Sequence, residues 1–600
     1  MASRFLNWFD TELMALRKRA GIFAQKHPKI AARLRMTPDA IDDPHTERIV
    51  QSFAYTAARI RQKLDDDFPE LTNTLLEALY PQYLAQIPSM SIMKFTASDG
   101  LGEVIAIEPG FAVDTEPLRG DRCRFRTTQQ VRLAPLKISA SSLHKPPFVA
   151  PQINDAAARA CLTITLEKQN TGVAFADLDA DELVFFIKAP FATATKLYEL
   201  LLNRCVAIAI GEHADDQRAT RLPLSQLTPV GFEDETAMLP FPKRSFPGFR
   251  LLTEFFALPE KYLFFRLSGI KGALARIAGS KASIFFYLDA NVDRLLNAVD
   301  ANSFDLHCTP VINLFPQRAE PIHIDQTRHE YDIIPDARRN STREVHSIER
   351  VTVSDHEGKV VDIFPFFGRK PSSTESRGSI FWMHKRLAND DQNAFTSQLS
   401  LVDLSLKAAT SDAHSVATVS SLCINRGLPE QLPFGGGQPF LTAVNKNDLV
   451  AKLSLLLPPT PTARLDGEEG SYWRLISSLS LNHLPITGGD PELLRDILRL
   501  YDFRQAQETS VLIDAITSID TKSSTARLSD GSIAKGVDIT ITFDDTTVDR
   551  GLALLFGSVL SHFLGLYASI NTFSRLTIKL SGTVLPIVRF PPRTAAEVLI

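Results

Sequence analysis

The sequence predicts a multidomain α+β fold, with an N-terminal helical bundle segment, β-rich middle domains and a mixed α/β C-terminal domain. Three observations carry this reading. Up to about residue 92 the apolar residues recur at helical spacing, from residue 93 they take the alternation of strands, and beyond a proline-rich run near residue 457 both periods occur. At 600 residues the chain exceeds what one hydrophobic core organises, and its 44% hydrophobic and 22% charged composition is that of an ordinary globular protein. The divisions expected are 1–92, 93–310, 311–456 and 457–600.

The first helix should run from about Asn7 to Lys26, because Phe9, Leu13, Leu16, Ala20 and Phe23 fall on one face. A second starts at Asp43, a good N-cap, with Pro44 at the first helical position and Glu47 in the first turn. Its stripe is Ile49, Phe53, Ala57, Ile60 and Leu64. The stretch Asp65–Met93 then forms a joint. Asp65, Asp66 and Asp67 precede Pro69, where the helix dipole favours carboxylates. Leu71, Leu75, Leu79 and Tyr83 recur beside a second row of Leu76, Tyr80 and Leu84. That apolar face is too broad for a solvated helix. Pro81 and Pro88 should end the helix and hand over to extended chain. Amphipathicity alone does not separate a local three-helix core from packing on a partner chain.

Beyond Met93, the runs MKFTAS, EVIAIEPGFAV and CRFRT read as strands, with Pro109-Gly110 a tight turn. Double phenylalanines at Phe185, Phe264 and Phe285 mark three strands of similar burial whose irregular spacing excludes a solenoid. Residues 141–152, 231–248 and 428–440 are loop candidates, and 455–470 reads as a linker stiffened by Pro458, Pro459 and Pro461. After it, Asp490-Pro491-Glu492 starts a helix reaching Tyr501. Val537, Ile539, Ile541 and Phe543 line one face of a strand, an apolar helix follows from Gly551, and a further strand runs from Arg575 to Leu580.

A net charge of −4 and a pI near 6.4 give no basic field for nucleic acid. The cysteines Cys123, Cys161, Cys205, Cys308 and Cys423 are odd in number and hold no CxxC, which argues for a reducing compartment. Asp10, Glu12, Arg17 and Lys18 interrupt any export signal. The run Gly551–Ile570 approaches a membrane span, but Ser558, Ser561 and His562 favour a buried helix. No phosphate loop, HExxH or GxSxG occurs, and Gly435-Gly436-Gly437 lacks the strand and helix that a phosphate cradle requires. The densest histidine region holds His323, Asp325, His329, Glu330 and Asp332. It lacks zinc spacing and reads as a solvated strand and loop. It is the sole motive for the alternative function, a cytoplasmic metal-dependent hydrolase. No catalytic, cofactor-binding or metal residue is assigned.

HPKIAARLRM at 27–36 and the segment from Asp43 to Phe95 resemble the N-terminal signature of the TssF family, also called VasA or ImpG, of type VI secretion baseplate proteins. WRLISSLSLNHL, LLRDILRLYD, FGSVLSHFLGLYASINTFSRLTI and FPPR resemble the family's closing block, and LCINRGLP at 422–429 adds a short piece in the middle. The opening FLNWFDTEL and Phe590, where tryptophan is usual, depart from the pattern. The resemblance implies a cytoplasmic structural subunit, not an enzyme, recruited to an inner-membrane-associated secretion complex and similar to phage baseplate wedge proteins. It also implies partners: a second TssF copy, TssG and TssK in the wedge, with TssE, the VgrG spike and sheath proteins nearby, so that the wedge templates sheath and tube assembly. Neither nucleic acid nor membrane insertion belongs to that picture, and no cofactor does. On this reading the partner-facing residues are Phe9, Leu13, Leu16, Phe53, Ile60, Leu64, Leu71, Leu75, Leu79 and Tyr83, with Leu555, Val559 and Phe563 in the C-terminal apolar run.

Overall fold

The computed structural model describes residues 2–35, 37, 43–65, 75–152, 157–170, 172–241, 245–325, 328–354, 360–367, 380–389, 394–403, 415–445, 449–464, 490–527, 533–566, 568 and 572–594. The chain divides into two compact units, one formed by 1–84 with 466–480, the other by 85–465 with 481–600.

In the first unit, helix α1 (Ala2–Lys26) lies against helix α2 (Pro44–Asp65). Asp43 caps α2 as its sequence requires: its carboxylate accepts from the Thr46 amide at 3.2 Å and the Thr46 hydroxyl at 2.6 Å. An Arg17–Glu47 ion pair joins the two helices. Asp66, Asp67 and Pro69, expected to open the next helix, lie outside the described residues. Residues 75–79 are helical. Pro81 ends that helix: Tyr80 sits at φ −147° and ψ 61°, and a single 3-10 turn at Pro81–Tyr83 follows.

The second unit begins where the chain becomes extended. Strand Met90–Ala97 lies in a six-stranded antiparallel sheet with spatial order Leu441–Ala443, Ala112–Leu118, Asp121–Thr127, Cys308–Ile312, Met90–Ala97, Val450–Leu455. Phe95, Val113, Phe125, Val311 and Leu453 fill its core. The expected turn at Pro109-Gly110 is present, with Gly110 at φ 90°, a conformation closed to most side chains.

The three double phenylalanines fall in two neighbouring sheets. Strands Glu182–Ile187 and Phe264–Ser268 pair antiparallel so that Phe185 faces Phe265, their rings stacked 5.0 Å apart, while Phe186 meets Phe264 at 4.8 Å. Phe286, on strand Lys281–Leu288 of a five-stranded sheet, stands edge-on to Phe265 at 6.2 Å. Cross-strand pairing therefore explains their common burial. An eight-stranded sheet occupies residues 315–424.

The proline run expected to be a linker is, up to Arg464, part of the fold. Leu456 donates to the Ile92 carbonyl at 2.8 Å, Thr460 to Met90 at 2.9 Å, and Ala463 exchanges hydrogen bonds with Ile87. The prolines supply no donors, so the residues between them make the ladder. The rest of that linker and the segment 473–484 lie outside the described residues.

Two helices of the middle region, α3 (Phe191–Asn203) and α4 (Gly248–Ala257), receive the C-terminal elements. Helix α5 (Pro491–Tyr501) starts as expected, with Asp490 accepting from the Glu492 amide at 3.0 Å. Strand Ile533–Phe543 connects through helix α6 (Arg550–Leu566) to strand Thr572–Leu580, and these strands pair in parallel. Helix α6 packs on α3, α4 and the second of these strands. Phe556 stacks on Phe255 of α4 at 5.1 Å. The segment from 490 onward therefore shares a core with elements before residue 310.

Candidate functional site

Among the described residues of the first unit, several large apolar side chains are exposed. Its buried helical residues are mostly small: Ala24, Ala31, Ala54 and Ala58, with Leu13 and Leu76. Ala54 and Ala58 stand one turn apart on α2. Several larger residues of the same helices are exposed, Phe53 by 71%, Met14 by 69% and Ile49 by 67%, with Ile22, Phe23 and Ile30 also open. Large apolar residues left open in such number on two packed helices mark an interaction surface more often than a solvated one.

The residues expected to face partners distribute unevenly. Phe53 is exposed, Phe9, Leu16 and Leu75 are half-buried, and Leu13 and Tyr83 are buried. Leu79 is 52% exposed, while its neighbours Leu76 and Tyr80 are buried, so the second row of the joint is the inward one. The side chains of Ile60 and Leu64, and Leu71 as a whole, lie outside the described residues. The C-terminal trio needs correction. Leu555, Val559 and Phe563 are fully buried within this chain, because α6 crosses between two strands and is covered by α3 and α4. No surface is left there for a second chain.

The polar cluster considered for metal is spent on other partners. Asp325 accepts from the Tyr331 hydroxyl at 3.3 Å, Glu330 from Lys385 at 2.9 Å, and Asp332 from Gln398 at 2.8 Å, while His323 lies exposed on its strand. Among the described residues no group of three metal-ligating side chains converges. Burial pushes the Cys123 and Cys161 thiols up to about 12, leaving them protonated and unreactive. A shallow pocket of about 530 Å³ is lined by residues 317–321 and 335–338, none of which is histidine, cysteine or serine. Among the described residues, no helix is long and apolar enough to cross a membrane.

Two buried polar nodes escaped sequence reasoning. Asp121 takes a bidentate pair from Arg343, at 2.9 and 3.0 Å, and a hydroxyl from Thr342 at 3.0 Å. Burial raises its carboxyl, but Arg343 and Thr342 outweigh that and hold it below the usual carboxylate range. Glu344 accepts from the Phe395 amide at 2.8 Å, from Arg464 at 2.7 Å and from Gln86. These partners are 222, 120 and 258 residues distant along the chain, so no local motif announces them. The exposed face of α2 did carry a local signal. Small residues four apart, Ala54 and Ala58, mark the side on which the backbone can approach a neighbour closely.

The family model for type VI secretion system TssF matches residues 1–597. The chain is 32% identical to "Type VI secretion system component TssF1" of Pseudomonas aeruginosa, over 96% of this chain and 97% of that relative. Its fold is similar to a chain in the cryo-electron microscopy structure of the type VI secretion system TssK-TssF-TssG baseplate subcomplex, with a TM-score of 0.73, 24% identity, and coverage of 92% of this chain and 100% of that one. A chain of the baseplate complex from the type VI secretion system aligns with a TM-score of 0.61 and 23% identity, over 99% of this chain and 100% of that one.

Proposed function

The chain belongs to the TssF family and is a baseplate component of the type VI secretion system, and from that premise we propose that it works as a wedge scaffold assembled through its helical unit. The observation that carries this is the set of large apolar side chains left exposed on α1 and α2, Met14, Ile49 and Phe53 most of all. Burying such residues contributes roughly 1.5–3 kcal/mol each, a gain that a second chain supplies and solvent does not.

The partners are a second copy of this chain, a TssG protein and a TssK protein; the fold's likeness to a chain of the TssK-TssF-TssG baseplate subcomplex supports the last two. TssE, the VgrG spike and sheath proteins are the next neighbours, and the wedge templates sheath and tube assembly. The protein acts by binding, not catalysis, from a cytoplasmic position on the inner-membrane-associated complex. Within it, the helical unit forms the wedge core as in phage baseplate wedge proteins, and the β-rich middle projects outward.

Purification tests this reading. Expressed alone, the chain should self-associate or aggregate, and co-expression with a TssG protein of the same secretion system should give a soluble complex. A stable monomer that elutes apart from co-expressed TssG contradicts it.

A further inference from the structure

The most exposed large apolar pair in the second unit lies on the connection between strands Thr572–Leu580 and Val588–Arg589. Val584 is 94% exposed and Leu585 77%. Such residues on a floppy loop would mean little, but this connection is tied down. The Thr583 amide donates to the Leu580 carbonyl at 3.1 Å, and the Thr583 hydroxyl lies within reach of the Leu580 and Leu585 carbonyls at 3.1 and 3.2 Å. Ser581 donates its amide to the Phe543 carbonyl at 2.8 Å and its hydroxyl to Asp545 at 3.0 Å. The two aliphatic side chains are thus presented in a fixed arrangement, which lowers the entropy lost on docking.

An acidic pair adjoins the start of this turn. Asp545 is held against Ser581 and Gly582, and Asp544 precedes it, accepting from the Thr546 amide at 3.1 Å and the Thr546 hydroxyl at 2.7 Å. Neither carboxylate has a cationic partner among the described residues. The loop 544–549 and the turn 581–587 both leave the carboxyl ends of the parallel strands, where α/β layers commonly place binding residues.

We propose that the turn 581–587 and the loop 544–547 form a docking knob for a protein partner that presents an apolar pocket rimmed by arginine or lysine. Unpaired carboxylates repel phosphate, which excludes nucleic acid and an anionic lipid surface. Two aliphatic side chains seek a pocket, and the carboxylates select a basic rim and speed the encounter.

The inference rests on the scaffold reading, and the test separates the two. Tagged full-length chain is co-expressed with TssG and TssK proteins of the same secretion system, and the retention of each partner on the captured chain is measured across a dilution series at about 50 and 300 mM salt. The proteins compared are the wild type, Val584→Ser with Leu585→Ser, Asp544→Asn with Asp545→Asn, and Ile533→Ser at the opposite end of the sheet as control; each variant's melting curve is recorded first. The serine pair is expected to weaken binding about tenfold or more at both salts. The asparagine pair should weaken it at low salt and flatten the salt dependence, and Ile533→Ser should do neither. Wild-type binding that both pairs leave unchanged overturns the knob while the scaffold stands. Absence of wild-type binding to either protein overturns both. Self-association lost in the serine pair names a second copy as occupant and overturns the partner proposed.

Discussion

Glu344 and Arg464 form a buried ion pair at 2.7 Å, with the Glu344 side chain fully enclosed and that of Arg464 nearly so. The same carboxylate binds Gln86 and the Phe395 amide, so one group fastens three passages of chain: the approach to strand Met90–Ala97, the end of the proline run and the start of strand Ala394–Asp403. Glu344→Gln leaves the Arg464 guanidinium buried without its counter-charge and should cost about 3–5 kcal/mol. Hydrogen exchange should rise together at 86–92, 457–464 and 394–396. A rise confined to one of the three would mean that Glu344 does not couple them.

Gly551 shows steric fit overriding propensity. A Cβ there would lie 2.5 Å from the Thr195 carbonyl group, in the backbone of α3. Alanine gains about 1 kcal/mol of helix propensity, but overpacking against backbone costs about 1–3 kcal/mol. Gly551→Ala is therefore expected to lower the thermal midpoint. A raised midpoint would show that α6 does not rest on α3 at this point.

Two buried histidines give a pH signature. Burial pulls His307 and His346 down to about 3, and Lys94 and Arg386 add to that respectively. In the unfolded chain they titrate near 6.5. Between those values the unfolded chain binds protons that the folded one refuses, so unfolding takes up protons and stability falls as pH drops. No such loss occurs above about pH 6.5; below it each histidine contributes roughly 1.4 kcal/mol per pH unit, down to about pH 3. His307 has φ 59°, a conformation asparagine tolerates. Denaturant unfolding of His307→Asn between about pH 6 and 4.5 should show a shallower loss than wild type.

The helix starts were legible because their causes are local. Asp43 and Asp490 cap as expected, and Pro81 stops its helix at Tyr80. The double phenylalanines were legible as strands, but their pairing was not, since Phe185 and Phe265 meet across 80 residues by register alone. Leu555, Val559 and Phe563 mislead for a related reason. An apolar stripe reports that a face is covered, not by which chain, and here α3 and α4 cover it. The stripe Ile49–Phe53 shows the converse: its chain leaves it open and buries the alanine side instead. The proline run 456–463 looked like a linker because composition records missing donors, not the carbonyls and remaining amides that pair with Ile87–Ile92.

The most direct measurement compares assembly and folding in Met14→Ser with Phe53→Ser, two substitutions at exposed positions of α1 and α2. Full-length chain carrying both is co-expressed with its TssG and TssK proteins and followed by light scattering after gel filtration, with a melting curve for each form. Wild type should elute as a complex; the double variant should melt like wild type, since surface changes typically stay within about 0.5 kcal/mol, and elute apart from its partners. A double variant that enters the complex with unchanged stoichiometry and affinity would contradict the assignment of this face to wedge assembly.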